Sequence, residues 1–313
     1  MIHLGPIPVA IAGSGEAFAA LREDNATLLA RLGAVPERRI AGVLESLADD
    51  PGVWSRARAV DESPVDLACE AARIALSAAG LAAGDIGAHV HATSTPTRWT
   101  SAESARIGRQ LGLGAALCDV RSGCTAGLWA LWTGASLARD SHGPVLVTAA
   151  DVFGKVLPES ERMASFAFGD GASALVLVPA ASGGIVRAVF GGRPDLVDLA
   201  SVPVALPPGG PSEVWRLAGD PVAFAKAAER GLTEAIAALG IDGTPIVVQT
   251  ARAPTALAVA GDRAWLALLR SEGNLGAATP GVALHRGAGR PGRVVLASAG
   301  GGLSYGAIGW EWV

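Results

Sequence analysis

One cysteine stands where this chain could do covalent chemistry. Cys124 follows the turn Asp119-Val-Arg-Ser-Gly and opens the run from Thr125 to Leu137. At about 100° per residue, Trp129, Leu131 and Trp132 of that run point in different directions and leave no wide polar face. A helix that is apolar all round is a buried helix. A thiol at its first turn lies beside unpaired backbone N–H groups and the positive end of the helix dipole. That setting lowers a thiol pKa and favours the nucleophilic thiolate. Cysteine also packs well as a small buried hydrophobe, and the segment alone leaves both readings open.

The other reactive residue types narrow the field. His89 and His91 bracket Val90 and share one face of a strand running into the polar turn Thr93-Ser-Thr-Pro96. His91 is therefore the one histidine considered as an auxiliary base. His3 reads as terminal, and His142 and His285 as surface. No pair has metal-ligand spacing, so no metal is expected. Gly169-Asp170-Gly171 is not followed by Lys-Ser/Thr, which argues against a phosphate loop. Cys69 and Cys118 read as packing residues. Three cysteines without regular spacing give no disulfide framework and fit a reducing cytoplasm. Arg38, Arg39, Arg56 and Arg58, around Trp54, read as a solvated face or as contacts for phosphates.

The elements that must position Cys124 alternate between strand and helix. Strands are expected at 5–13, 86–92, 115–120, 144–150 and 171–178, and again at 185–190, 244–249, 293–299 and 307–312. Helices are expected at 16–33, 61–82, 101–112, 220–239 and 254–269, with loop at 194–211. This is an α/β pattern. Each half ends in a glycine turn and a strand, which suggests an internal duplication, 1–178 and 179–313.

Half of the 313 residues are hydrophobic and only 17% are charged, so much surface must be buried, a subunit interface included. With net charge −4 and no basic run, no nucleic-acid partner is expected. The N-terminus shows no signal-peptide pattern. The longest uncharged apolar run, 171–186, is too short and too broken to span a bilayer, so no membrane segment is expected.

Several motifs in order give the chain a resemblance. Asp61-Glu-Ser63 with Asp66-Leu-Ala68, Ala92-Thr-Ser-Thr-Pro96, Cys124 with Ala126-Gly127, Phe168-Gly-Asp-Gly-Ala172, Gly273-Asn274, and Gly300-Gly-Gly302 with Tyr305-Gly306 resemble β-ketoacyl-acyl carrier protein synthase III. The resemblance runs from about residue 60 to the end; the first 60 residues match poorly and look shortened. It implies a thiolase-like fold of two similar halves in five αβαβα layers, and a homodimer. It also implies an acyl group carried on Cys124, with the backbone N–H groups of Cys124 and Gly301 as oxyanion hole. The substrate would be an acyl-CoA or acyl-carrier-protein thioester, with no cofactor, in polyketide or fatty-acid-like specialised metabolism. Arg252 and Phe168 would contact the substrate, and an acyl carrier protein would be a partner.

The sequence departs from the family at one residue. Where the family carries its catalytic histidine, this chain has Gln249; the family asparagine is present as Asn274. A glutamine amide can donate hydrogen bonds but is no base near neutral pH. Gln249 and Asn274 are expected to donate to a developing enolate, while transfer to a hydroxyl or amine lacks a base. The chemistry leans to acyl transfer or slowed condensation. Alternatives are a degenerate subunit paired with an active homologue, and a thioesterase-like or cyclising enzyme.

Overall fold

Two five-stranded sheets face each other across a pair of helices. The computed structural model describes residues 1–31, 52–98, 100–156, 162–201, 219–250, 252–290 and 292–312. The first sheet has the order β2-β8-β7-β5-β6, from Val9–Phe18, Gly171–Pro179, Val145–Asp151, Ala88–Ala92 and Ala116–Val120. The second runs β1-β9-β12-β11-β10, from Ile2–Leu4, Gly184–Gly192, Ser304–Trp312, Gly292–Gly300 and Ile246–Gln249. A small hairpin-like pair, β3 (Leu21–Asp24) and β4 (Ser55–Arg58), stands apart.

The layers follow from which faces are apolar. Helices Ala126–Ser141 and Thr279–Gly287 lie between the sheets and touch both. Their core joins Ala126, Leu128, Leu131 and Val282 to Val90, Val147, Leu177, Leu296, Ile308 and Trp310. Helix Pro64–Ala79 covers the outer face of the first sheet, and Pro221–Leu239 that of the second. The expected five-layer, thiolase-like α/β arrangement is therefore present. Helix Pro64–Ala79 shows its sequence signals directly: Ser63 and Asp66 close a capping box, Pro64 leads, and Gly80 ends it at φ 65°.

Several expected boundaries shift. The first strand does not leave at Gly13-Ser-Gly15 but runs on to Phe18, so the helix expected at 16–33 shrinks to Asn25–Arg31. The two glycines serve packing: a Cβ on Gly13 would lie 2.2 Å from the Ala75 carbonyl oxygen, and one on Gly15 2.3 Å from that of Ala71. The helix expected at 254–269 ends at Ala260, because Gly261 turns at φ 57°, and a second helix forms at Ala267–Glu272. Residues 2–4 join the second sheet, antiparallel to β9. Cys69 is buried as expected, but Cys118 is exposed, because β6 is an edge strand paired only with β5. Arg56 is no solvated face: it is 2% exposed, and its guanidinium bonds the Asn25 side chain. Arg38, Arg39 and most of the 194–211 stretch lie outside the described residues. Among the described residues, no helix is long and apolar enough to cross a membrane.

Candidate active site

The two central helices meet at their first turns. A Cβ on Gly127 would fall 2.1 Å from the Ala277 carbonyl oxygen, so only glycine fits there. Both helix N-termini thus point at one place, and Cys124 sits in the turn just before the first helix. Gly123, at φ 51°, makes that turn. The Ser122, Thr125 and Ser304 hydroxyls tie it to β12: Thr125 Oγ1 donates to the Ser122 carbonyl at 2.7 Å and lies 2.8 Å from Ser304 Oγ.

The glycine turn after β11 lies directly against this loop. A Cβ on Gly300 would approach the Cys124 backbone nitrogen to 2.6 Å, and one on Gly123 would come within 3.1 Å of the Gly301 nitrogen. The two N–H groups expected as an oxyanion hole are therefore neighbours.

Gln249, at the end of β10, is 4% exposed, and Asn274 is 8% exposed. Gln249 Nε2 donates to Asn274 Oδ1 at 3.1 Å and to the Gly276 carbonyl at 2.6 Å. Gly276 N–H donates to Asn274 Oδ1 at 3.0 Å. The Ser298 hydroxyl lies 2.6 Å from Gln249 Oε1 and 3.0 Å from the Cys124 carbonyl oxygen. Sequence reasoning missed Ser298, whose only signal is a hydroxyl inside the apolar run before Gly300.

The site also holds an unforeseen carboxylate. Asp151 ends β7 and is fully buried. Its Oδ1 accepts from Thr93 Oγ1, Thr95 Oγ1 and the Ser94 and Thr95 N–H groups, and its Oδ2 from Ala277 N–H. Burial pushes its pKa up to about 6. A lone carboxylate closing a strand buried on both faces was the available signal. Burial first, then the Asp151 charge, pushes the Cys124 thiol up to about 12. These two causes act against the lowering expected from the helix dipole. Cys124 nonetheless keeps partial exposure.

Phe168 and Asn274 are joined by backbone: Asn274 N–H donates to the Ala167 carbonyl at 2.9 Å and Gly169 N–H to that of Asn274 at 3.2 Å. The Phe168 ring stacks on Phe153 at 4.1 Å and borders a cavity lined also by Arg31, Arg56, Arg58 and Asp170. Asp170 accepts from the Ala59 and Gly154 N–H groups and fixes the turn.

Arg252 and His91 complete the set of expected residues. Arg252 is exposed, at the start of helix Ala253–Ala260. His91 lies on the outer face of the first sheet, opposite the central helices. Strand alternation puts Val90 and Ala92 inward, so His89 and His91 face out, and both rings bond Thr148 Oγ1 at 2.8 Å. Burial holds both pKa values well below the usual histidine range. His91 is thus a buried neutral ring away from Cys124. His285, expected at the surface, is half-buried and bonds Ser14 Oγ at 2.8 Å. Among the described residues, no cluster of three or more potential metal ligands occurs.

A cysteine at paired helix N-termini, beside a glycine turn in a two-sheet layered fold, defines a condensing enzyme of thiolase-like fold. The family model for 3-oxoacyl-[acyl-carrier-protein] synthase III matches residues 118–194. The chain is 31% identical to β-ketoacyl-[acyl-carrier-protein] synthase III 3 of Streptomyces coelicolor, over 92% of this chain and 98% of that one. It is 36% identical to acetoacetyl CoA synthase NphT7 of Streptomyces sp. CL190, over 52% and 55% of the two chains. The structure of 3-oxoacyl-(acyl carrier protein) synthase III from Pseudomonas aeruginosa superposes with a TM-score of 0.83 at 26% identity, over 97% and 98%. The chain belongs to the β-ketoacyl-acyl carrier protein synthase III family, whose members are acyl-transferring condensing enzymes.

Proposed function

We propose that the protein takes an acyl group from an acyl-CoA or acyl-carrier-protein thioester onto Cys124 and passes it to a second thioester or thiol in specialised, polyketide or fatty-acid-like metabolism. The observation that carries this reading is the contact of the Cys124 turn with Gly300 and Gly301. That contact brings the backbone N–H groups of Cys124 and Gly301 into one turn, which supports their proposed role as donors to a thioester oxygen that gains negative charge during attack. The Cys124 thiolate adds to the thioester carbonyl, the carbon–sulfur bond to the donor breaks, and the donor leaves as a thiolate that takes a proton. The phosphopantetheine arm is substrate, and the chemistry asks for no cofactor.

Gln249 shapes the transfer step. It cannot accept a proton, so transfer to a poorly acidic alcohol or amine is disfavoured and transfer to a thiol favoured. The 36% identical relative named acetoacetyl CoA synthase supports a thioester acceptor. An acyl carrier protein is the proposed partner, a homodimer across the exposed β6 edge, bearing Leu117 and Cys118, the proposed assembly, and the cytoplasm the proposed location.

Incubation with panels of acyl-CoA and acyl-carrier-protein thioesters, followed by intact-mass and peptide mass spectrometry, should find an acyl group on Cys124. No adduct across a broad panel would overturn the reading and favour the alternative of a degenerate subunit paired with an active homologue. Gln249→His should raise malonyl decarboxylation by roughly tenfold, since a histidine can carry positive charge while donating.

A further inference from the structure

The amide cluster beside Cys124 can be read proton by proton. Gly276 N–H can only donate, so the Asn274 atom it meets is the carbonyl oxygen Oδ1. The Gly276 carbonyl can only accept, so the Gln249 atom it meets is the nitrogen Nε2. One backbone residue thereby fixes the orientation of both side-chain amides. The second Nε2 proton goes to Asn274 Oδ1. Gln249 then presents Oε1 to Ser298 Oγ at 2.6 Å, the shorter of the two contacts to which the single Ser298 hydroxyl proton can go; the other is the Cys124 carbonyl at 3.0 Å. Both Gln249 protons are committed inside the cluster. Asn274 keeps its Nδ2 group, which has no hydrogen-bond partner among the described residues.

We propose that Ser298 is a positioning residue: by holding Gln249 Oε1, it reinforces the orientation Gly276 sets, keeps both Gln249 N–H groups on Gly276 and Asn274, and leaves Asn274 Nδ2 as the side-chain donor for the thioester oxygen of the second substrate. This differs from the sequence expectation that Gln249 and Asn274 donate together. The inference rests on the reading of Cys124 as acyl acceptor. Ser298 touches the Cys124 carbonyl as well as Gln249; its action through Gln249 and Asn274 falls on the acceptor step, so removing it should slow that step more than acylation of the sulfur. Ser298 is fully buried in β11, between β10 and β12, where a merely structural hydroxyl would affect stability and every chemical step alike.

The test measures two rates on the full-length protein: acylation of Cys124 by acetyl-CoA, read by mass spectrometry, and carbon dioxide release from malonyl-CoA. Ser298→Ala should slow decarboxylation by about tenfold and by a larger factor than acylation. Ser298→Thr, which keeps the hydroxyl, should restore it. In a Gln249→Met background Ser298→Ala should cost less than about twofold, because its target is gone. Equal losses in both rates, or additive losses in the double variant, would overturn the inference. A crystal structure with a non-reactive malonyl-CoA amide analogue reads the same geometry without turnover. The analogue's oxygen on Asn274 Nδ2, with Gln249 Nε2 still on Gly276, supports the inference. A Gln249 Nε2 contact to the analogue, or no contact from Asn274, refutes it. Absence of any Cys124 adduct is a separate outcome that removes the proposed function itself.

Discussion

Strands β2-β8-β7-β5 of the first sheet and β9-β12-β11-β10 of the second have the same order and the same directions, and all four of each set enter in the same chain order. Each sheet sends one helix into the central layer. Their strand ends differ. In the first sheet β7 ends in Asp151, a buried carboxylate that gathers four donors from residues 93–95 and one from Ala277. In the second, the matching strand β11 ends in Gly300-Gly301-Gly302, with no side chain at all. One end is filled and held by charge; the other carries no side chain and lies against the Cys124 turn, where the proposed function needs backbone N–H donors. The same topology thus yields a support and an active-site wall, and the difference is carried by a handful of residues at strand ends.

Variants that challenge this contrast fall in order of size. Replacing Cys124 with Ala should abolish the acyl adduct altogether, and any adduct elsewhere in the peptide map would relocate the nucleophile. Gly300→Ala should cost roughly 100-fold or more in acylation rate, because its Cβ would displace the Cys124 N–H from the oxyanion position; circular dichroism should show the fold retained. A rate near that of the parent would mean the open end is not what the oxygen needs. The third concerns pH. With the Cys124 pKa raised to about 12, the thiolate fraction grows with pH, and iodoacetamide alkylation should rise about tenfold per pH unit from about pH 7 to 10. A plateau near about pH 8 would show that the helix dipole outweighs burial after all. Asp151→Ala should cost about 3 kcal/mol of stability, since it strands several buried donors; a thermal midpoint unchanged from the parent would remove Asp151 from its supporting role.

Much of this was legible in the amino-acid order. Alternating strand and helix signals, the cap at Ser63 and Asp66, and the all-round apolar segment after Cys124 are local patterns, and local backbone preferences express them directly. The motif order gave the family, and the resemblance put Gln249 where the family carries its histidine. Other features were legible only in part. Gly13 and Gly15 look like a turn in sequence because glycine permits turns; the structure uses them for close approach of a helix to a strand. His89 and His91 shared a face as alternation required, but which face met the core depends on what each side packs against. Cys118 looked internal because a strand's place in its sheet is set by distant partners.

Amino-acid order alone set the element types, the layered class and the identity of the cysteine at the helix start, since these follow from periodicity and from residue chemistry. Folding set the raised pKa of Cys124, the place of Asp151, the removal of His91 and the closed amide cluster of Ser298, Gln249 and Asn274. The cause is distance along the chain: Ser298 lies 174 positions from Cys124 and 49 from Gln249. Hydrogen bonds and desolvation act over a few ångströms, and only the tertiary fold brings residues so far apart in sequence within that range.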